Sequence, residues 1–206
     1  MRKSISIFVA LFVGLLGTQW AKAGTCNGVS ANLVSNCGFE TGDFTSWSGT
    51  TTTDPFSGVE GADIVGSLTI NPYMGSNQAY LGTIGPPADS LNQSLTTVAG
   101  DQYTIEFAVA NDTASSLGYP NSFVASFGGD TLFSESDAGV DLYTLYSYTT
   151  TATSNSTLLS FTSYNPGGSF LLDSVSVAQT PEPSTLMLLG TGLIGLAGAA
   201  RRRLSR

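Results

Sequence analysis

From Gly24 to Thr180 the chain never sustains the 3.6-residue spacing of an amphipathic helix; it runs in short β-rich stretches broken by Gly, Asn, Asp, Ser and Pro. Apolar residues at every second position put one face of a strand on a core and leave the other to water. Gln102–Asn111 is the clearest case, with Tyr103, Ile105, Phe107 and Val109 on one face and Thr104, Glu106 and Ala108 on the other. Further strands are expected at Asn32–Cys37, Ala62–Val65, Ala79–Gly82, Leu91–Val98, Phe123–Phe127, Thr131–Ser134, Leu142–Thr151, Thr157–Tyr164 and Phe170–Val177. So many strands in one block of 157 residues predict an all-β fold, a jelly-roll-like antiparallel β-sandwich. No fixed period supports a β-solenoid instead. Ser and Thr supply 45 of the 157 residues, which suits exposed strand faces.

Charge narrows the function. The whole chain carries −8, but all seven bases (Arg2, Lys3, Lys22, Arg201, Arg202, Arg203, Arg206) lie near its ends. Between Gly24 and Thr180 there are 14 carboxylates and no Lys, Arg or His. A body without cations does not neutralise phosphates, so nucleic-acid binding is excluded. So are a His relay, a Lys Schiff base, an Arg clamp, a P-loop lysine and a His-ligated zinc.

The ends read as addresses. Arg2 and Lys3 precede an apolar run from Ile5 to Leu16, and Ala21-Lys22-Ala23 forms an A-x-A cleavage pattern. Residues 1–23 are therefore expected to be a signal peptide read by the Sec export machinery, with Ala21 and Ala23 marking the cut. Residues 24–180 would form the sandwich domain. Pro181-Glu182-Pro183 is followed by an apolar segment, 17 residues when counted from Ser184 to Ala200, and then Arg201-Arg202-Arg203. That length is at the short end for a transmembrane helix, and the arginines place the tail inside and the body outside.

This order of parts resembles the PEP-CTERM sorting signal of Gram-negative bacteria, whose C-terminal segment is also named after ice-binding proteins. The resemblance implies recognition of Pro181, Glu182 and Pro183 by an exosortase, with the membrane helix at 184–200 and the Arg201–Arg203 cluster removed afterwards. It further implies transient anchoring in the inner membrane, then sorting to the cell surface or extracellular matrix, in association with exopolysaccharide. The body resembles a second family at its two ends. Asn32-Leu33-Val34-Ser35-Asn36-Cys37-Gly38-Phe39-Glu40-Thr41-Gly42-Asp43-Phe44-Thr45-Ser46-Trp47 is similar to the opening of galactose-binding-like carbohydrate-binding modules. Phe170-Leu171-Leu172-Asp173-Ser174-Val175-Ser176-Val177 is similar to their closing strand, and Leu91–Val109 has their middle pattern. Cys37 stands where that family usually has Gly, and Ser174 where it has a second Asp. The resemblance implies a structural calcium ion held by Glu40 and Asp173, a function in carbohydrate binding, and a buried position for Trp47.

Other readings come from the residues themselves. Cys26 and Cys37 form an even pair in an exported body and are expected to make a disulfide. Glu60, Glu106 and Glu135 are candidate members of a glycosidase carboxylate pair, a remote alternative to a non-enzymatic body. Trp47, Tyr73, Tyr80, Tyr119 and Tyr164 are the aromatics nearest turn signals, and sugars stack on such rings. Tyr119, with Asn111 and Asp112 at the start of the same polar loop, is the expected ligand site. Thr50–Thr53 is expected on a strand edge. The function read from the sequence is thus a non-enzymatic, exported surface protein that binds extracellular polysaccharide; the alternative is a structural biofilm protein with no specific ligand.

Overall fold

The alternation along the chain becomes two stacked antiparallel sheets. The structure, a computed structural model, describes residues 26, 28–83, 85–113, 118–180 and 191. The signal-peptide and sorting-tail assignments, including Ala21, Ala23, Pro181–Pro183, the 184–200 span and Arg201–Arg203, lie outside the described residues, apart from Thr191. No described helix is long and apolar enough to cross a membrane.

The strands are β1 (Ser57–Glu60), β2 (Asp63–Val65), β3 (Leu68–Ile70), β4 (Gln78–Leu81), β5 (Asp89–Thr96), β6 (Gln102–Asn111), β7 (Ser122–Phe127), β8 (Asp130–Ser136), β9 (Asp141–Thr151), β10 (Ser156–Tyr164) and β11 (Phe170–Gln179). One sheet has the order β1-β4-β11-β6-β9, the other β5-β10-β7-β8, and β2 and β3 form a separate hairpin. The core lies between the sheets, where rings from opposite layers meet: Phe107 and Phe161 at 5.3 Å, Phe123 and Phe170 at 5.3 Å. Phe107, Phe123, Phe161 and Phe170 are fully buried, and truncating one to alanine removes about 3–5 kcal/mol in a packed core. The β2–β3 hairpin instead folds over the outer face of the five-stranded sheet. There Leu68 and Ile70 pack with Tyr80, Ala110, Tyr143 and Leu171 as a second, smaller core.

Asn32–Cys37, expected as a strand, is an irregular segment wedged between the sheets' edges. It takes the place beside β11 that β4 vacates: Leu33 N donates to Val177 O, and Val175 N donates to Cys37 O, both at 2.8 Å. Its other side is held by a side chain, because Gln93 accepts from Ser35 N at 2.8 Å and donates to Ser35 O at 3.0 Å. A glutamine thus does the work of a neighbouring strand. Thr50–Thr53 is a 3-10 turn and not a strand edge; the Thr52 hydroxyl bonds back to Gly49 O, and such local bonds compete with a ladder. Cys26 and Cys37 are joined by a disulfide with Cα atoms 5.9 Å apart, which fastens the start of the body to this segment.

Candidate functional site

The strand ladders give the sandwich two poles. β11 begins at Phe170, opposite Leu81 of β4 and Asn111 of β6, and ends at Gln179, opposite Tyr103. Ser122 at the start of β7 faces both Tyr164 and Ser136, and Asp89 faces Ser163. The loops after Leu81, Asn111, Ser136 and Tyr164 therefore gather at one end, the loop pole. The chain leaves β11 at the other end, the exit pole, where Thr180 N bonds Gln102 O.

At the loop pole, three buried asparagines replace a ladder. Asn111 donates through Nδ2 to Thr113 O at 2.8 Å and Gly139 O at 2.7 Å, and accepts from Asn165 Nδ2 at 3.0 Å. Asn121 accepts from Ala138 N at 2.7 Å and donates back to Ala138 O at 3.2 Å. All three amides are buried; Asn111 and Asn121 satisfy main-chain groups that would otherwise be stranded away from water, and Asn165 braces Asn111. Asp112 completes the arrangement by accepting from Ser169 N at 2.7 Å. Burial pushes the Asp112 carboxyl above its ordinary value, while the Ser169 N–H works the other way.

These contacts fix the turn Asn165–Ser169 between β10 and β11. The turn lines a cavity of about 320 Å³ together with Phe56 and Thr83. Tyr119 rests on it: a Cβ at Gly167 would come within 3.1–3.3 Å of the Tyr119 side chain. At Gly168 a Cβ would run into the Thr113 hydroxyl and the Asp112 carboxylate, so the floor needs glycine there. Tyr119 and Phe56 are 52% and 47% exposed, which leaves two aromatic surfaces facing solvent beside the cavity. Asn111, Asp112 and Tyr119 are thus brought together around one turn, but in different positions. Tyr119 is presented to solvent, while Asn111 and Asp112 are buried and hold the floor from behind. Asn121, Asn165 and Phe56 were missed in the sequence, where Asn and Pro-Gly-Gly read simply as turn formers. A smaller cavity of about 170 Å³ lies nearby, lined in part by Asn111, Glu135, Asp141 and Tyr146.

Glu40 and Asp173 meet the same turn on the outer face, between β3 and β4. Asp173, fully buried, accepts from Met74 N at 2.9 Å and from Ser174 N. Glu40 accepts from Ser76 N at 2.9 Å and Asn77 N at 3.1 Å. Gly75, with φ +76°, lies so close that a Cβ would collide with the Glu40 carboxylate. Burial, with Glu40's like charge adding to it, pushes the Asp173 carboxyl up to about 6 against the pull of the N–H donors. Ser174 adopts φ +54° where the β11–β6 register shifts, which turns Asp173 and its neighbours out of the regular pleat.

The remaining sequence candidates are scattered. Glu60 is half-buried on β1 beside Asp63, and burial raises both carboxyls. Tyr143 donates to Gln78 Oε1 at 2.9 Å in the same neighbourhood, and burial drives its hydroxyl upward. Glu106 sits on the outer face of β6 and accepts from the Ser147 hydroxyl at 3.1 Å. Glu135 lies on β8. Each of the three is on a different strand, and Glu106 keeps a hydroxyl partner of its own. Among the described residues, no group of three or more His, Cys, Asp or Glu side chains is arranged to hold a metal ion. Trp47 is buried against Phe39, with ring centroids 5.6 Å apart; Tyr73 is partly exposed beside Tyr143, and Tyr80 and Tyr164 are half-buried.

Comparison with known proteins adds two findings. Residues 179–203 match the PEP-CTERM protein-sorting motif. That motif starts at the last residue of β11, on the pole opposite the cavity. No curated protein matches the chain. Among solved structures, the fold is similar to that of a family 61 carbohydrate-binding module in complex with β-1,4-galactotriose, at 18% identity and a TM-score of 0.50, covering 73% of this chain and all of that one. It is similar as well to the CBM22-1–GH10 modules of a Clostridium thermocellum endo-1,4-β-D-xylanase complexed with xylohexaose, at 13% identity and a TM-score of 0.50, covering 74% of this chain and 29% of that one. At these identities the likeness is one of fold: an antiparallel sandwich of the kind used by carbohydrate-binding modules.

Proposed function

We propose that the protein is an exported, non-enzymatic sandwich that binds polysaccharide at its loop pole and is delivered to the cell surface by its C-terminal motif. One observation carries the binding reading: Tyr119 stands exposed on the Gly167 floor beside a 320 Å³ cavity, while the groups behind it are locked by buried amides. An aromatic surface fixed in place before the ligand arrives loses little conformational freedom on binding. Asn111 and Asp112 act in this reading by positioning the floor, with Tyr119 making the contact. Support for sorting comes from the motif itself and from the order of Pro181–Pro183, the 184–200 segment and Arg201–Arg203. Residues 1–23 would be removed on export, and an exosortase of the Gram-negative host would process the tail.

The donor set around Glu40 and Asp173 suits a hard cation. Two carboxylates converge on one turn, and calcium, which takes oxygen ligands, would draw on both of them. Bound there, calcium would neutralise the like charges and tie β11 to the β3–β4 turn. Added calcium should raise the melting temperature of the full chain, and Asp173→Asn should abolish that rise. An unchanged melting curve would sink the metal assignment.

The binding reading is tested on a glycan array with the full chain in detergent. Loss of signal in Tyr119→Ala, with an unchanged melting temperature, is the expected outcome; absence of binding to every glycan would overturn it. A structural role has its own support in β9, an eleven-residue edge strand with no charge after Asp141. Such an edge can pair with another chain.

A further inference from the structure

We infer that the loop-pole cleft takes uncharged sugar units and rejects uronates, with Phe56 as its second aromatic surface. This inference rests on the carbohydrate reading above and adds to it the chemical class of the ligand and a contact residue.

An anionic sugar would find no charge partner in this cleft. A uronate carboxylate needs a cation or a set of free N–H donors. Residues 24–180 contain no Lys, Arg or His. Three main-chain donors beside the cavity are already committed to the protein's own oxygens. Phe56 N gives its hydrogen bond to Asp54 Oδ1 at 2.7 Å, and Ser169 N gives its own to Asp112 Oδ1 at 2.7 Å. Gly168 N bonds Asn165 O. The acids that use these donors also surround the cleft with negative charge. Asp54 lies against Phe56 N, with Asp89 close enough to act on its carboxyl as a like charge, and Asp112 lies directly beneath Gly168. A ligand carboxylate would face like charges in a partly dehydrated cavity, with no compensating partner among these groups.

An uncharged sugar meets the opposite situation. The C–H face of a pyranose can stack on Phe56 or Tyr119, both about half exposed. The Thr83 hydroxyl, which gives its own hydrogen to Gly85 O at 3.3 Å, still has acceptor capacity, as do the carbonyls of the 165–169 turn, for sugar hydroxyls along the same cavity. Selectivity would then come mainly from the repulsive element, which is a common way for a binding site to discriminate between ligands of similar shape.

The test compares immobilised neutral polymers (galactan, xylan, glucan) with polygalacturonate and its methyl ester, using the full chain in detergent at low salt. The readout is cleft-dependent binding, meaning the part of the signal lost in the Phe56→Ala/Tyr119→Ala double variant. Cation-bridged adhesion elsewhere on the acidic surface survives that variant and is subtracted. The expected result is cleft-dependent binding to at least one uncharged polymer, at least tenfold above that to polygalacturonate. Phe56→Leu alone, a milder change, should also weaken it severalfold at unchanged melting temperature. Cleft-dependent binding to polygalacturonate as strong as to the uncharged polymers would overturn the charge selectivity while leaving the carbohydrate reading intact. Binding to neutral polymers that the double variant does not reduce would overturn the cleft as its location. Binding to no polymer at all would remove the carbohydrate reading itself.

Discussion

The two poles of the sandwich are held together by different chemistry. At the exit pole main-chain bonds do much of the closing, Gly100 N to Ala152 O at 2.8 Å, Ala152 N to Asp101 O at 2.9 Å and Gly128 N to Leu158 O at 2.9 Å, while Val98 N and Ala99 N donate to the Tyr103 hydroxyl and to Asn155 Oδ1. At the loop pole the same structural task falls to side chains, namely Asn111, Asp112, Asn121 and Asn165. Main-chain closure depends little on which residues occupy the turn. Side-chain closure ties the pole to particular amides, but it frees the turn to carry Tyr119 on glycine. Both poles present a cavity, the exit pole one of about 530 Å³ bordered by Val98, Tyr103, Gln179 and Thr180, but only the loop-pole cavity has a floor held by buried amides.

Substitutions at the two poles should therefore differ in cost. Asn111→Ala leaves Gly139 O and the buried Asn165 Nδ2 without their partner and weakens the hold on Thr113 O, and should destabilise the body by about 3 kcal/mol in denaturant melts. Asp101→Ala, which loses an exposed bond from Gln179 Nε2 at the exit pole, should cost less than about 1 kcal/mol. Equal losses at the two positions would break the contrast. The disulfide belongs to neither pole. Cys26→Ser should lower stability by about 2–3 kcal/mol, the loop-closure value for its eleven-residue separation, without altering glycan selectivity.

Binding should separate the poles further. Tyr119→Ala is expected to reduce glycan affinity at least tenfold while changing stability by less than about 0.5 kcal/mol. Val98→Ala, at the exposed turn of the exit pole, should alter neither.

The smallest effect concerns pH. The carboxyls of Glu60, Asp63 and Asp112, near the loop pole, are all raised by burial. Their folded forms bind protons more readily than the unfolded chain does. Stability should therefore rise as pH falls from neutral through their raised values, and level off below the ordinary values of 4.5 for Glu60 and 3.8 for the two aspartates. Thermal melts across this range should show that slope, and Glu60→Gln should lessen it without removing it, because Asp173, pushed up to about 6, adds to the same slope.

What could be read in advance follows the same division. β6 was visible because period-two alternation is local, β11 because its apolar run resembles the closing strand of carbohydrate-binding modules although it is buried on both faces, and the disulfide because two cysteines in an exported body leave one pairing. The Asn32–Cys37 segment looked like a strand because it is extended and apolar at Leu33 and Val34. Its partner on one side turned out to be the side chain of Gln93, 58 residues away, which no local pattern encodes. The short strands β1 and β3 were missed for a related reason. Four residues containing Gly58 and three behind a turn carry too little pattern, and their placement depends on the sheet face they cover. At the candidate site, Tyr119, Asn111 and Asp112 share one loop and could be found together. Phe56 and Asn165 join them only through the fold.

One feature of the ladder has a mechanical meaning. β11 is flanked on both sides, by β6 along most of its length and by β4 and then the Asn32–Cys37 segment on the other. It also runs directly from the cavity turn to the start of the sorting motif. A pull between a polymer held at the loop pole and a tail held at the exit pole would load these hydrogen bonds in parallel, along the strand, and they would have to slip together. A molecule tethered this way would resist being drawn out far better than one whose last strand lay at an edge and could be peeled off one bond at a time.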